Sequence, residues 1–455
     1  MRNPEFVLNS LAAKAHDENY KFERLYRNLY NEAFYQKACR KLIPGENVRV
    51  ERLLSVASLI EQLKTQKYRP HPSGRIPVSG AACSTFEDQL VQEVVRSLLT
   101  AIYEGSFSND SHGFRPGRSC HTALDQIRHS FTGVVWFIEG DLKPFFNKMD
   151  HHTLIKIMRR RIDDEKFISL IWKFLKAGYM EDWNDHLTYS GTPTGGILSP
   201  ILSNIYLDEL DKFVGCLKEG RSRDKTGLKL VYVRYAGDFL IGVIGSKKEA
   251  KEIRDKLRRF LAENLKLELP EENMRILYSA KPAKFLGYEI MVNRNHHPHH
   301  AGKCKLQVPA EQWKRKLLEL GALRIDRDGT WKIMHRSGIA YLDDVKILNI
   351  YNDEIIGYYR YYQLADNVSV LNKFYHVMKG SLYKTFANKY RSTVRKMIKR
   401  FHEDGVFTVR YQTEKGRCEK TLYHGGFKRL GTVIQDANVD MLPKMVNDRN
   451  KCHDG

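Results

Sequence analysis

A chain of 455 residues, 42% of them hydrophobic, can bury a sizeable core, which excludes a disordered or low-complexity protein and allows roughly two to four domains. A net charge of +21 and a pI near 9.5 favour a polyanionic partner, because each neutralised phosphate releases counterions. The seven cysteines (Cys39, Cys83, Cys120, Cys216, Cys304, Cys418 and Cys452) form no Cys-x-x-Cys pair, which argues against a disulfide framework or zinc knuckle and for a reducing compartment. Met1-Arg2-Asn3-Pro4 opens no signal peptide and no apolar run is long enough to span a bilayer, so a cytoplasmic protein without a membrane partner is expected, or an organellar one freed of its transit peptide.

In chain order, residues 5–45 read as helical, and 51–64 as an amphipathic helix with Leu53, Leu54, Leu59, Ile60 and Leu63 on its apolar face. Residues 69–84 are rich in Pro, Gly and Ser and read as loop; 86–103 return to helix. Residues 134–141, Val-Val-Trp-Phe-Ile-Glu-Gly-Asp, predict a buried strand ending in a carboxylate. Residues 151–178 read as helical, and 191–200 as a glycine-rich turn running into a helix over 201–214. Two β-rich runs over 229–244 flank Ala236-Gly237-Asp238, a hairpin signal. A helix over 247–266 and strands near 274–278 and 285–292 follow. Residues 309–400 are mostly helical, aromatic and basic, and the tail 401–455 is β-like and then polar. The pattern is α+β. No internal repeat is found.

A strand-end acid at Asp141, a glycine-rich turn and a Tyr-x-x-Asp hairpin follow the order of a template-dependent polymerase palm. Five stretches carry a closer likeness: Ser111-His-Gly-Phe-Arg-Pro-Gly-Arg118, Glu139-Gly-Asp-Leu-Lys143, Gly191-Thr-Pro-Thr-Gly-Gly-Ile-Leu-Ser-Pro200, Tyr235-Ala-Gly-Asp238 and Phe285-Leu-Gly-Tyr288. With these, the sequence resembles the bacterial group II intron-encoded reverse transcriptases and maturases from about residue 20 to about residue 440. The resemblance implies a right-hand α+β fold: N-terminal helices and fingers over 1–125, a palm over 126–300, a helical thumb or maturase domain over 301–400 and a DNA-binding-like tail over 401–455. Nucleotidyl transfer in such a palm uses two Mg²⁺ ions held by convergent carboxylates. Asp141 and Asp238 fill two of those positions, as catalytic residues and metal ligands. Phe146 stands where the family places a ring against a ribose 2′-hydroxyl, Gly195 and Gly196 let backbone approach the nucleotide, and Arg115 and Arg118 lie in a template-contacting motif. Simpler readings stand beside these: a solvated acid, a core aromatic, turn glycines and surface salt-bridge partners.

The departures from the family pattern fall on the catalytic parts. Gly237 replaces the first aspartate of the Asp-Asp pair, Thr194 replaces a glutamine, Asn147 an aspartate, and Asn273-Met274 a Lys-Thr pair. Arg75–Ser84 replaces a basic segment that grips the triphosphate, and holds one arginine and no lysine. Residues 371–400 keep a basic character without an acid, and Lys384, Lys389, Arg391, Arg395 and Lys396 are expected to contact RNA, with tyrosines of Gly357-Tyr-Tyr-Arg-Tyr-Tyr362 stacking on bases. With Cys452-His453 followed only by Asp454 and Gly455, no Cys/His-rich nuclease like that of many relatives is expected, and His296-His-Pro-His-His300 reads as a surface loop. The expected function is maturase, with group II intron RNA as partner, a DNA target as a further one, and Mg²⁺ only where polymerase activity survives. An active reverse transcriptase and a repurposed RNA-binding remnant are the alternatives.

Overall fold

The computed structural model describes residues 2–43, 50–71, 74–75, 82–83, 85–142, 149–178, 196–223, 229–294, 302–413 and 416–441. Phe146, Asn147, Thr194 and Gly195 lie outside the described residues, as do His296–His300, Cys452 and His453 and most of the 69–84 segment.

Two compact units form, one from the described parts of Met1–Arg118, Gly133–His186 and Thr192–Ser279, the other from Ser119–Thr132 and Ala280–Gly455. In chain order the elements are α1 (Pro4–Ala15), α2 (Glu32–Leu42), α3 (Val50–Lys64), β1 (Gly74–Arg75), β2 (Ala82–Cys83), α4 (Phe86–Tyr103), α5 (Cys120–Ser130), β3 (Trp136–Asp141), α6 (His151–Met158), α7 (Glu165–Lys176), α8 (Ser199–Arg223), β4 (Lys229–Tyr235), β5 (Asp238–Ile244), α9 (Lys247–Leu265) and β6 (Met274–Tyr278). Then come β7 (Ala283–Phe285), β8 (Tyr288–Val292), β9 (Cys304–Gln307), α10 (Ala310–Glu319), β10 (Leu323–Ile325), β11 (Trp331–Ile333), α11 (Asp344–Tyr362), α12 (Leu371–Lys389), α13 (Val394–Phe401), β12 (His402–Glu403), β13 (Val406–Thr413) and β14 (Gly416–Thr421).

The first unit is built on an antiparallel sheet of order β4-β5-β3-β6. Its strands are apolar along their length because helices cover them: Ile138, Phe239, Ile241 and Val243 share one core with Leu202, Ile205 and Tyr206 of α8 and Ile253 and Leu257 of α9. Helix starts follow sequence signals. Thr85, Asp150 and Asp164 cap α4, α6 and α7, and Ser246 with Glu249 forms a capping box on α9.

The helical reading of 5–45 is corrected: α1 and α2 are separated by an irregular stretch with a 3-10 turn at Tyr26–Tyr30. It holds Tyr26, whose N–H donates to the Asp164 carboxylate, and Phe22, which bridges to Ile162. These tertiary partners outweigh local propensity. The helix read over 151–178 is two helices, broken at Ile162–Asp163 by the same pairing.

The second unit stacks α11 and α12 beside a three-stranded sheet β7-β8-β9, a hairpin β10-β11 and a sheet β12-β13-β14. Phe285-Leu-Gly-Tyr288 is the two-residue hairpin between β7 and β8, with Leu286 and Gly287 both left-handed (φ 49° and 70°). The hydroxyls of Tyr361 and Tyr362 on α11 donate to the carbonyls of Leu286 and Gly287 at 2.5 and 2.9 Å. The mostly helical reading of 309–400 misses β10-β11, whose central turn Asp326–Thr330 is polar and glycine-bearing.

Candidate functional site

β3 and β5 are antiparallel neighbours in a register that sets Asp141 directly opposite Asp238. Side chains of such opposite residues leave the same face of a sheet. Gly140, one residue earlier, is opposite Phe239. A Cβ on Gly140 would come within 2.0 Å of that ring, so glycine is what lets Phe239 lie across the strand. The hairpin between β4 and β5 is closed by Ala236 and Gly237, and the Leu142 N–H donates to the Gly237 carbonyl at 2.9 Å. The left-handed residue of this hairpin is Ala236 (φ 53°). Gly237 is not among the left-handed glycines of the described residues, so the turn does not owe its conformation to glycine at 237.

The hairpin is braced by a network under it. Arg234 is fully buried and donates to Asp211 on α8 at 2.6 and 2.8 Å, to Ser111 Oγ at 2.7 Å, to the Ala236 carbonyl at 2.9 Å and to Asn204 at 3.1 Å. Tyr232 donates its hydroxyl to the same Asp211. Burial would lower the Arg234 pKa, but the Asp211 carboxylate outweighs it and holds the guanidinium charged. Ser111 and His112 add to the open edge of β4: the Arg234 N–H donates to the Asp110 carbonyl at 2.8 Å and the His112 N–H to the Arg234 carbonyl at 2.9 Å. Gly113 follows, and a Cβ there would meet the Ala236 nitrogen at 2.3 Å; Asn204 holds its carbonyl. The Ser-His-Gly motif is thus fastened to the Tyr-Ala-Gly-Asp hairpin through a glycine contact and a buried ion pair.

Sequence reasoning missed Arg234, Asp211 and Asn204. The signals were present: a lone arginine inside the apolar run Lys-Leu-Val-Tyr-Val-Arg-Tyr, and an aspartate on the buried face of α8.

The other expected residues are spread. Arg115 is buried, with Nε on Glu104 at 2.9 Å, Nη1 on the carbonyls of Ser108 and Ser111, and its guanidinium over the Phe107 ring. These donors are all engaged within the loop that carries it. Glu104, its partner, has its pKa raised by burial in spite of the guanidinium. Arg118 is partly exposed and donates twice to Asn109. Gly196 precedes α8 by three residues and is half-buried.

In the second unit, Arg391, Arg395 and Lys396 are exposed on and before α13, whose Met397 and Phe401 face inward. Lys384 is exposed and donates to the Ile333 carbonyl at 2.7 Å. Lys389 is half-buried, paired with Asp344 at 2.6 Å and donating to the Leu342 carbonyl. Tyr358, Tyr361 and Tyr362 are buried, which corrects the expectation that they stack on bases: they pack on one another, on Phe374 and on the β7-β8 turn. The helical period turns these three inward and leaves Arg360 outside.

Asp141 and Asp238 face one another across the β3-β5 ladder, and Gly237 adds no carboxylate to the hairpin. Among the described residues no group of three or more His, Cys, Asp or Glu side chains could hold a metal ion. No helix among them is long and apolar enough to cross a membrane.

Comparison with known proteins places this geometry. Residues 77–290 match a family described as reverse transcriptase (RNA-dependent DNA polymerase), and residues 302–439 match type II intron maturase. The group II intron-encoded protein LtrA of Lactococcus lactis subsp. cremoris is 36% identical, over 91% of this chain and 82% of its own. Protein YkfC of Escherichia coli K12 is 29% identical over 70% of this chain and 94% of its own, and nuclear intron maturase 2, mitochondrial, of Arabidopsis thaliana is 26% identical over 70% and 54%. Among solved structures, a Candida albicans telomerase aligns with a TM-score of 0.35 at 11% identity, over 77% of this chain and 53% of the other.

Proposed function

The chain belongs to the family of group II intron-encoded reverse transcriptases and maturases, and we propose that it works as a maturase. In this reading it binds the RNA of a group II intron, stabilises the splicing-competent fold, and has lost most or all polymerase activity. The chemistry belongs to the RNA; the protein supplies a positive, shape-matched surface. The observation that carries this reading is the β4-β5 hairpin, whose Tyr-Ala-Gly-Asp tip offers one carboxylate, Asp238, opposite Asp141, with glycine at 237. Arg115, spent inside its loop, and the replacement of basic residues over 75–84 point the same way. A DNA target would use the same basic surface.

An active reverse transcriptase holding Mg²⁺ on Asp141 and Asp238 is the second reading, favoured by their shared register. The test is primer extension on an RNA template with Mg²⁺, run beside splicing of a group II intron on one protein sample. Splicing support with little or no cDNA is expected. Gly237→Asp alone should leave synthesis weak, because the triphosphate grip is missing as well. Robust, processive synthesis by the unaltered protein would overturn the maturase reading.

A further inference from the structure

In the second unit, α10 and the β10-β11 hairpin carry a surface that the basic run of α12 and α13 does not include. Register sets Ile325 opposite Trp331 and Leu323 opposite Ile333, so one face of the hairpin is apolar. Leu323 is buried, whereas Ile325 and Trp331 are 39% and 41% exposed, and Leu318 of α10 is 43% exposed. Exposed apolar side chains gathered in this way mark a binding surface more often than isolated ones do. Trp331 meets the buried Trp313 edge to face, with ring centroids 5.7 Å apart. The Lys314 ammonium is 5.9 Å from the Trp313 ring and 5.5 Å from the Trp331 ring, so it lies against both indoles. On the other face of the hairpin, Arg324 and Lys332 share one carboxylate, Asp326, at 3.1 and 2.5 Å, which leaves a surplus of positive charge. β11 also adjoins α12: the Ile333 side chain lies where a Cβ on Gly380 would meet it at 2.9 Å, and the Ile333 carbonyl accepts from Lys384. The apolar patch is therefore continuous with the exposed lysine of α12.

We propose that Trp331, with the Lys314 ammonium against its ring, is a base-stacking site for single-stranded nucleic acid, with an unpaired segment of RNA as its occupant. The inference rests on the RNA-binding reading of the chain and names a residue and a binding mode for it. An indole gives a flat, sequence-tolerant platform for an unstacked base, and the Lys314 ammonium beside it is placed to meet a phosphate that flanks that base. A paired duplex keeps its bases stacked on each other and offers this ring nothing. A polyanion makes use of the Lys314 charge beside the ring, which an uncharged protein surface does not.

The experiment titrates the full chain with two fluorescein-labelled probes, an unstructured RNA strand of mixed sequence and a fully paired RNA duplex of the same length. Trp331→Ala should weaken single-strand binding about fivefold or more, leave duplex binding unchanged, and leave the salt slope unchanged because every cation that meets a phosphate is kept. Trp331→Phe, which keeps a ring, should stay within about twofold of the unaltered protein on the scale where tenfold is ~1.4 kcal/mol. Lys314→Gln leaves both indoles in place and should flatten the single-strand salt slope by ~0.7. It gives a readout even if Trp331→Ala fails to fold. Quenching of tryptophan emission by the single strand should shrink in Trp331→Phe. The inference is overturned if folded Trp331→Ala binds the single strand as before, or loses the duplex equally. It is overturned too if that variant changes only a concentration-dependent mass in light scattering, which would make the patch a contact between two copies. If the unaltered protein binds neither probe, the RNA-binding reading falls first, and this inference with it.

Discussion

Arg234 and Asp211 are both fully buried, and their pairing carries the local geometry of the palm hairpin. Two charges withdrawn from water are repaid only where every donor and acceptor is met. Here the guanidinium reaches Asp211, Asn204, Ser111 and the Ala236 carbonyl, and Asp211 also accepts from Tyr232. Removing one member strands the other. Arg234→Met should cost about 3–5 kcal/mol of stability, read as a fall in the denaturation midpoint at constant slope. Asp211→Asn with Arg234→Met should cost less than the two single changes summed, since the stranded charge is gone. Additive losses would mean that the two side chains do not act as a pair. The sequence announced only part of this. Asp141 and Asp238 were legible as strand-end and hairpin acids, because strand period and turn chemistry are local. The ion pair beneath them joins residues 23 positions apart through a helix and a strand, and no local pattern links those two.

At the scale of elements, α12 and α13 separate into cations that hold the fold and cations that face water. Lys389 belongs to the first group through Asp344 and the Leu342 carbonyl; Arg395 and Lys396 belong to the second. Arg395→Gln with Lys396→Gln should lower RNA affinity and flatten the log K against log salt slope by ~0.7–0.9 for each phosphate no longer neutralised. Lys389→Gln should instead lower the melting temperature with little change in slope, because a half-buried pair is broken. Equal slopes for all three proteins would place the RNA elsewhere. Charge content was visible in residues 371–400, but the direction of each side chain was not. It depends on α11 supplying Asp344 and on the hairpin β10-β11, which the helical pattern around it concealed. The long helices α4, α8 and α9 were legible because their apolar period continues over several turns, and the caps of α4 and α9 are explicit in the sequence. The break between α6 and α7 was not, since the Phe22 backbone imposes it from more than a hundred residues away.

At the scale of the whole molecule, the maturase reading separates the palm from the activity. A splicing cofactor needs the palm only as a folded support, since the ribozyme positions its own metal ions. The Asp141–Asp238 pair is then left over from chemistry rather than required by it. Two carboxylates set opposite one another repel when no cation lies between them. Asp141→Ala should therefore leave intron binding and splicing within about twofold, which is ~0.4 kcal/mol on the scale where tenfold is ~1.4. It should leave the melting temperature unchanged or slightly raised, because Leu142 still donates to the Gly237 carbonyl and Gly140 still accommodates Phe239. Under the polymerase reading the same substitution removes a metal ligand and abolishes cDNA synthesis, the protein's principal activity. Added Mg²⁺ divides the two further. If the pair holds an ion in the unaltered protein, millimolar Mg²⁺ stabilises that protein and not the alanine variant, whichever reading of the activity holds. Splicing then decides between the readings: a folded, RNA-bound Asp141→Ala protein that no longer supports splicing would make the palm carboxylate part of the function, and the maturase-only account would be wrong.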